Sequence, residues 1–329
     1  MTCNLRRVYP ASSVAGMVVA MTGLLSWLVV AEAAHADTYP DHPVRIISIH
    51  PVGITSDLLA RALAPHLGER LGQSIVVENR AGANGIVATG IVAKAPADGY
   101  TMLITSSSHI SNAHLRKDLP FDTMRDFSPI TQLAGSYGLA LSTALPVKAL
   151  EELIAVGKTR PLTYATNGPG NTTHVAGLLL AAKAVIAMNA ISYSTNSMIT
   201  DVISGNVDMM FVGTVNAEPL VRAGQVKVLA TTGARRSQLL PEVSTMQELG
   251  YKDFDVSGYF GLLFPAGTPM DRVNRVRDET VKALATPEVK RFMETSDFYS
   301  VGSTPSEFAA FLAADYKVQE QMMRDVGLK

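Results

Sequence analysis

The chain has 329 residues, 47% of them hydrophobic and 17% charged, with 28 basic side chains against 29 acidic ones and a single cysteine. That length suits two medium domains, and the balanced charge lacks the basic excess that binding to a phosphate backbone requires. One thiol excludes a disulfide framework and any multi-thiolate metal site.

Taken in chain order, the first segment reads as an export signal. Arg6 and Arg7 supply a positive start, Val14 to Val30 form an apolar run, and Ala34-His35-Ala36 matches a small-x-small cleavage pattern. Residues 1–36 are therefore expected to be a Sec-type signal peptide, cleaved near Ala36, which places the mature chain in the periplasm. Cys3 precedes the apolar run and so is not a lipid-attachment cysteine; it leaves with the signal.

The mature chain alternates β-branched runs with helical patterns. Val44–Ile49 predicts a strand, and Leu59, Leu63 and Leu67 recur at helical spacing within 57–71. Ser74–Glu78 predicts a second strand, Ile86–Lys94 a helix and Met102–Thr105 a third strand. This β-α-β-α-β order is the signature of a mostly parallel sheet covered by helices.

A second such series begins at Leu162–Thr166. It continues with a helix over Thr172–Val185, a strand at Ala190–Tyr193 and a helix at Met198–Ser204. A strand at Val207–Val212, a helix at Ala217–Ala223 and a strand at Val226–Thr231 complete it. Helices come next at Met270–Ala285, Pro287–Thr295 and Pro305–Val326. Two α/β units with a helical tail predict two lobes, with linkers near Ala134–Ala144 and Asp253–Gly261. Met209, Met210, Met322 and Met323 are expected in the core or on a helix.

Signatures of enzyme chemistry are missing from the sequence. It has no G-x-S-x-G elbow, no H-E-x-x-H and no Walker A motif. His109 and His114 are five apart with no third ligand near them, and read as loop histidines. What recurs is the strand–loop–helix junction rich in small polar residues: His50 to Asp57, Ala83-Asn84-Gly85, Ser106-Ser107-Ser108, and Asn167 to Thr173. A helix N-terminus presents unpaired N–H groups and partial positive charge, so it binds a carboxylate without a formal cation. Each junction alone is also explained by ordinary helix capping; several at the same ends of strands, in two lobes, point to a cleft.

The sequence resembles the Bug-type extracytoplasmic solute receptors of tripartite tricarboxylate transporters, over Tyr39 to Lys329. The resemblance rests on ordered stretches: Tyr39-Pro40-Asp41-His42-Pro43-Val44-Arg45, Asp57-Leu58-Leu59-Ala60-Arg61 and Val76 to Gly85. It continues with Ala95-Pro96-Ala97-Asp98-Gly99-Tyr100-Thr101, Leu119-Pro120-Phe121-Asp122 and Phe264-Pro265-Ala266-Gly267-Thr268-Pro269. It implies a type II periplasmic-binding-protein fold, with two α/β lobes joined by hinge crossings and a ligand cleft between them. Lobe 1 would comprise 38–136 and 260–329, and lobe 2 would comprise 137–259.

The pocket segments depart from the family. Pro51, Val52, Gly53 and Ile54 stand where it has two prolines and two glycines, and Asn167 to Val175 replaces a Ser-Gly-x-Gly-Ser/Thr-x-x-His-Leu pattern. Tyr193-Ser194-Thr195-Asn196 stands where the family has Tyr-Lys-Gly-Gly. Loss of the lysine and gain of Ile54 imply a less cationic, more apolar pocket, suited to a carboxylate with an aromatic or otherwise apolar body.

The expected ligand contacts are His50, Gly53, Ile54, Thr55 and Ser56 in the first junction, Asn84 in the second, and Ser107 and Ser108 in the third. Asn167, Gly170, Asn171, Thr172 and His174 belong to the fourth, and Tyr193, Thr195, Asn196 and Asp208 complete the set. His174 suits packing or capping as well as contact, and Asp208 suits fixing a loop as well as accepting from a ligand amine. Asp57, four residues before Arg61, is expected to form a structural pair.

The expected function is non-enzymatic capture of a small organic carboxylate and its delivery to the transporter's membrane subunits, as a monomer with no cofactor, no metal and no nucleic acid. A sensor docking on a membrane histidine kinase is one alternative. A secreted hydrolase, which needs a paired nucleophile and base, is the other.

Overall fold

The computed structural model describes residues 1–2, 39–53, 55–166, 168, 172–193 and 197–325, and the side chains of Thr55, Met322 and Asp325 also lie outside the description. The expected signal peptide with its cleavage site lies outside the described residues. Residues 42–329 form one unit, to which both sheets belong.

The first sheet opens as the sequence predicts. Strand β1 (Val44–Ser48) leads into helix α1 (Thr55–Leu71), β2 (Ile75–Asn79), α2 (Ile86–Ala93) and β3 (Thr101–Ser106). β1 pairs in parallel with β2 on one side and β3 on the other, since a helix returns the chain to the same end of the sheet each time. Buried Leu59, Leu63 and Leu67 are the face of α1 that packs on the sheet. Arg45 and Glu78, near neighbours on adjacent strands, form a bidentate ion pair at 2.6 and 3.0 Å.

The next three elements along the chain escaped the sequence reading. Helix α3 (Ser108–Leu115) succeeds the serine run and carries His109 and His114, both buried, where loop histidines were expected. Each ring is held by a main-chain carbonyl, His109 Nε2 at 3.1 Å from Thr123 and His114 Nε2 at 2.9 Å from Tyr316. Burial lowers the His109 pKa to about 4, so the ring is neutral. Strand β4 (Phe127–Ser136) then crosses the lobe, and β5 (Leu139–Thr143) begins three residues after it ends. The stretch 134–144, read as a linker, is therefore mostly strand, with only Tyr137 and Gly138 between.

The second sheet takes β5 and helix α4 (Leu150–Thr159), then β6 (Leu162–Thr166), α5 (Thr172–Ala184), β7 (Met188–Ser192) and α6 (Ser197–Ile203). It ends with β8 (Met209–Gly213), α7 (Thr214–Arg222) and β9 (Lys227–Thr231). Its order is β7-β6-β8-β5-β9, with β6 parallel to β7 and β8 and β5 antiparallel to β8 and β9. Alternate strand residues divide its core. Leu141, Tyr164, Met209 and Phe211 pack on one face, and Ala140, Ala165, Met210 and Val212 on the other.

The chain returns through β10 (Tyr259–Pro265), buried along its whole length and inserted antiparallel between β3 and β4. Helices α8 (Met270–Leu284) and α9 (Pro287–Thr295), strand β11 (Phe298–Ser300) and helix α10 (Pro305–Asp325) complete it. The first sheet is thus mixed, in the order β11-β4-β10-β3-β1-β2. Helix α10 serves both halves. Phe308 and Leu312 lie in the first sheet's core, whereas Met323 lies in that of the second.

Two passages of chain connect the sheets, at 136–139 and at 254–259, and they are tied together. Ser136 N–H donates to the Gly258 carbonyl at 2.8 Å, and the Ser136 hydroxyl accepts from Gly258 N–H at 2.7 Å. At the first passage Gly138 has φ of 89°, and a methyl group there would lie 2.3 Å from the Gly233 nitrogen, so only glycine fits.

Candidate functional site

The first junction is built by hydrogen bonds among its own residues. Gly53 adopts φ of 84°, which turns its N–H onto Asp57 Oδ2 at 2.8 Å. Asp57 is buried in the first turn of α1 and accepts from Arg61 Nε and Asn79 Nδ2, both at 2.9 Å. Burial raises the Asp57 pKa, but these donors outweigh it and the net shift is downward. The Asn79 amide also reaches the His50 carbonyl at 3.0 Å, so the expected Asp57–Arg61 pair anchors the loop that presents His50.

Ser56 is fully buried and sits behind His50, its Oγ 2.8 Å from His50 Nδ1 and 3.2 Å from Ser48 Oγ. Burial lowers the His50 pKa, which disfavours the charged ring.

The second and third junctions brace each other. Asn84 Nδ2 donates to Asn112 Oδ1 at 3.2 Å, and Asn112 Nδ2 donates back to the Asn84 carbonyl at 3.0 Å. Asn84 itself takes a left-handed conformation, φ 55°, which asparagine tolerates better than most residues. Ser106 and Ser108 hydroxyls lie 3.1 Å apart, and Ser111 Oγ donates to the Ser107 carbonyl one turn on.

These junctions surround a cavity of about 210 Å³ between the two sheets. Its wall holds His50, Asn84, Ser106, Ser107, Ser108 and Ser111 from the first sheet's side and Thr172 from the start of α5 on the other. The floor is the passages themselves, Ser136 and Gly258, and an aromatic side is formed by Tyr259, Phe260 and Phe298. Phe260 and Phe298 rings are 5.3 Å apart. Among the described residues of this wall there is no lysine or arginine. The first residues of α3 and α5 both face the space, so two helix N-termini supply its positive potential.

Of the expected contacts, His50, Asn84, Ser107, Ser108 and Thr172 meet in this cavity. Gly53 and Ser56 shape and support the first loop, and Val52 is exposed outside the wall. Ile54, Asn167, Gly170, Asn171, Thr195 and Asn196, with Pro169 and Ser194, lie outside the described residues, as does the Thr55 side chain.

Three expected contacts are engaged elsewhere. His174 is half-buried, its ring 6.4 Å from that of Tyr164 and its carbonyl accepting from the Tyr164 hydroxyl at 3.3 Å. The Tyr193 hydroxyl donates to Asp201 Oδ2 at 2.6 Å, a bond that pushes the tyrosine pKa up to about 12 and ties the end of β7 to α6. Asp208 requires a correction. It precedes β8, at the amino end of a strand whose carboxyl end faces the cavity. Arg160 holds it through two bonds of 2.7 and 2.6 Å, and Thr163 N–H donates to it at 2.8 Å. With the Arg160 guanidinium beside it, the Asp208 carboxyl titrates below the ordinary range. It fixes the entry to β6 and β8, the loop-fixing role that the sequence also allowed, and does not line the cavity.

The sequence reading missed the floor and the aromatic side. Ser136 and Gly258 fall in stretches read as linkers, and the signal for them was that crossings between two lobes necessarily border the cleft. Phe298 had no local signal. It is placed by the pairing of β11 with β4, Phe298 opposite Ser136. Just before it, Asp297 is 2% exposed and has φ of 54°. Its carboxylate accepts from the Thr214 and Ser237 hydroxyls and from Gln238 N–H at 3.2 Å, all on the second sheet's side. This is a third link between the halves.

Known proteins share both the sequence and the architecture of this chain. The sequence profile described as the tripartite tricarboxylate transporter family receptor matches residues 59–328. Protein BugT of Bordetella pertussis is 32% identical over 324 residues, 96% of this chain and 97% of that protein. A protein of R. palustris solved with adipate superposes with a TM-score of 0.76 at 28% identity, covering 88% of this chain and 98% of the other. MatC from Rhodopseudomonas palustris with bound malate gives 0.72 at 26% identity, covering 86% and 99%.

Proposed function

The chain belongs to the tripartite tricarboxylate transporter receptor family, and from that premise we propose that it is a non-enzymatic periplasmic receptor which captures a small organic carboxylate and delivers it to membrane subunits of such a transporter. The observation that carries this reading is the cavity between the sheets, to which α3 and α5 both present their first residues. A carboxylate there accepts from main-chain N–H groups and from serine and threonine hydroxyls, and gains from both helix dipoles. No metal or cofactor is needed for that chemistry, and a monomer suffices. Among the described residues no helix is long and apolar enough to cross a membrane, which accords with a receptor separate from its transporter.

The mechanism is closure. Lobe 1 spans 38–136 and 260–329, lobe 2 spans 137–259, and the passages at Ser136–Leu139 and Phe254–Tyr259 serve as hinges. Ligand bound to one half gains a second set of contacts when the halves approach, and that differential affinity shifts the population toward the closed form. The membrane subunits then recognise the closed form.

The aromatic side shapes the choice of ligand. Tyr259, Phe260 and Phe298 give the cavity an apolar flank opposite its serines, and its wall has no described cation. Both features support a carboxylate with an apolar body over a compact tricarboxylate. The relatives solved with adipate and malate make those acids the reference ligands. A thermal-shift screen followed by calorimetry tests the proposal: mono- and dicarboxylates with aliphatic or aromatic bodies should stabilise the protein and citrate should not. No stabilisation by any carboxylate, or turnover of an ester or amide, would overturn it.

A further inference from the structure

A carboxylate in the cavity meets no lysine or arginine, and one ring stands where such a cation would be. Of the described residues that line the space, His50 and Tyr259 alone can titrate. The Tyr259 hydroxyl is enclosed by protein, which leaves the His50 imidazole as the described wall's one source of formal positive charge. The ring is held from behind. Nδ1 lies 2.8 Å from the Ser56 hydroxyl, which lies 3.2 Å from the Ser48 hydroxyl, and both serines are fully buried. The His50 carbonyl is fixed by the Asn79 amide at 3.0 Å. Among the described residues the other ring nitrogen, Nε2, has no partner.

The serine pair accommodates both charge states of the ring, because a hydroxyl donates and accepts. Ser56 donates to Nδ1 when the ring is neutral. When the ring is charged, Nδ1–H donates to Ser56, whose own proton turns to Ser48. What opposes the charge is burial, which by itself lowers the His50 pKa with no charged neighbour contributing. The charged and titratable groups around the site are committed elsewhere. Asp57 is taken by Arg61, Asn79 and Gly53 N–H, and Glu78 by Arg45 and Arg80. His109 is turned to the Thr123 carbonyl, and His174 is stacked on Tyr164. Asp255 and Asp315 line a separate, smaller space beyond Ser111 and Thr172, where Asp315 accepts from Gln319. A ligand carboxylate is thus the first opposite charge that His50 meets, and such a charge within about 4–6 Å favours the protonated ring by about 10- to 1000-fold.

We propose that His50 is the ligand's counter-ion: Nε2–H donates to a ligand carboxylate and the ring takes up a proton as that carboxylate arrives, so that the receptor binds its ligand together with one proton. The inference rests on the receptor function above and specifies how that site is regulated. The neutral ring carries one N–H, the second proton comes from solvent, and no other bond forms or breaks. The helix N-termini supply partial charge at every pH, whereas His50 supplies a full charge that is present only while the ring is protonated. The ligand raises the pKa of the ring, so the added affinity is present in mild acid and is lost as pH rises through the bound-state value. A lysine in the same place would stay charged throughout that range. Proton loss from His50 then favours release, and proton gain favours capture.

Calorimetry on the mature protein tests it, with adipate and benzoate as probes, joined by whichever carboxylate stabilises most in the screen above. Titrations at pH 7 in phosphate and in Tris, whose ionisation enthalpies differ, read the protons taken up, and about half a proton or more per ligand is expected. Affinity should be about fivefold tighter at pH 6.5 than at pH 8, a window in which the probes stay ionised. His50→Gln keeps an N–H donor but cannot titrate, so it should bind more weakly, take up no proton and lose the pH ratio. Asp315, raised to about 6 by burial, is the other group that titrates near this window, and Asp315→Asn should keep both the uptake and the ratio. Proton resonances of the His50 ring in the unaltered protein, followed with and without ligand, give the same answer if a variant fails to fold. Carboxylates that bind with no proton uptake and flat affinity would overturn the role of His50 and leave the receptor function standing. So would an uptake that survives His50→Gln or disappears in Asp315→Asn. Failure of every carboxylate to bind would remove both.

Discussion

Asp297 is the sharpest test of how the two halves are held together. Its carboxylate is 2% exposed, carries three donors from the other half, and stands immediately before Phe298 of the cavity wall. Bonds to a charged acceptor contribute about 1.5–3 kcal/mol each in isolation, but they are not additive and hydroxyls can turn to new partners. Asp297→Ala leaves Thr214 and Ser237, both nearly fully buried, without that acceptor, and we expect a loss of about 3–4 kcal/mol on those grounds. The left-handed conformation of φ 54° adds roughly 1 kcal/mol for alanine.

Asp297→Asn separates these effects. Asparagine tolerates the left-handed backbone and keeps one oxygen for the Gln238 N–H, so its cost should be about 1–2 kcal/mol. Urea unfolding followed by circular dichroism measures both, and the alanine variant should melt roughly 10 °C lower. Because Phe298 moves with its neighbour, ligand affinity should weaken in the alanine variant more than in the asparagine one. An alanine cost below about 1 kcal/mol, or equal costs for the two variants, would refute the assignment of Asp297 as a link between halves.

Three further outcomes are expected. Asp208→Asn breaks the pair with Arg160 and should lower stability by about 2 kcal/mol in urea unfolding, while ligand affinity stays within twofold because the residue stands at the far end of its strand; a large loss of affinity would restore it to the site. Phe298→Ala should weaken aromatic carboxylates about tenfold and compact ones such as malate hardly at all, a difference that calorimetry on the two classes reads directly. Stability should fall as pH drops from about 7 toward 5, because His109, lowered to about 4 by burial, stays neutral in the fold while the unfolded chain takes up a proton, and burial lowers His50 and His174 in the same direction. Asp315, raised to about 6 by burial, takes up a proton in the folded state before the unfolded chain does and offsets part of that loss. Glu78 and Asp208, lowered chiefly by their arginine partners, and Asp57, lowered by its donors despite burial, lose their contribution as pH falls below about 4. Asp315→Asn should steepen the fall between neutrality and pH 5, and an unchanged slope would refute the assignment to Asp315.

Much of the scaffold was legible because its signals are local. Leu59, Leu63 and Leu67 announce α1 by spacing alone, and the parallel strands announce themselves as short β-branched runs. What could not be read was pairing between distant segments. The stretch around Ser136 and Leu139 looks like a linker since strands β4 and β5 break between sheets after two residues, and only the partners, β10 on one side and β8 and β9 on the other, reveal them as strands. The serine run before α3 suggested a polar junction correctly but gave no hint that the helix beyond it buries two histidines. Those rings lie inward only because carbonyls of Thr123 and Tyr316 await them, 14 and 202 residues away.

The same distinction governs the site. Polar residues at strand ends were identifiable because a helix start demands them whether or not a ligand is bound, and five of them do converge on the cavity. That reading fails for Asp208. Its residue type suits ligand contact, yet its position at the amino end of β8 hands it to Arg160, and strand polarity is invisible until the sheet is assembled. Ser136, Gly258, Tyr259 and Phe298 are the converse case. Each sits in a stretch with its own structural reason to exist, two crossings, a buried strand and an edge strand. They come together only where those elements meet beside the helix N-termini. Within a fold shared by the whole family, residues of this second kind are free to vary without disturbing the capping and packing that maintain the scaffold. They are therefore where the choice of ligand should reside, and where the departure of this chain from its relatives should be sought.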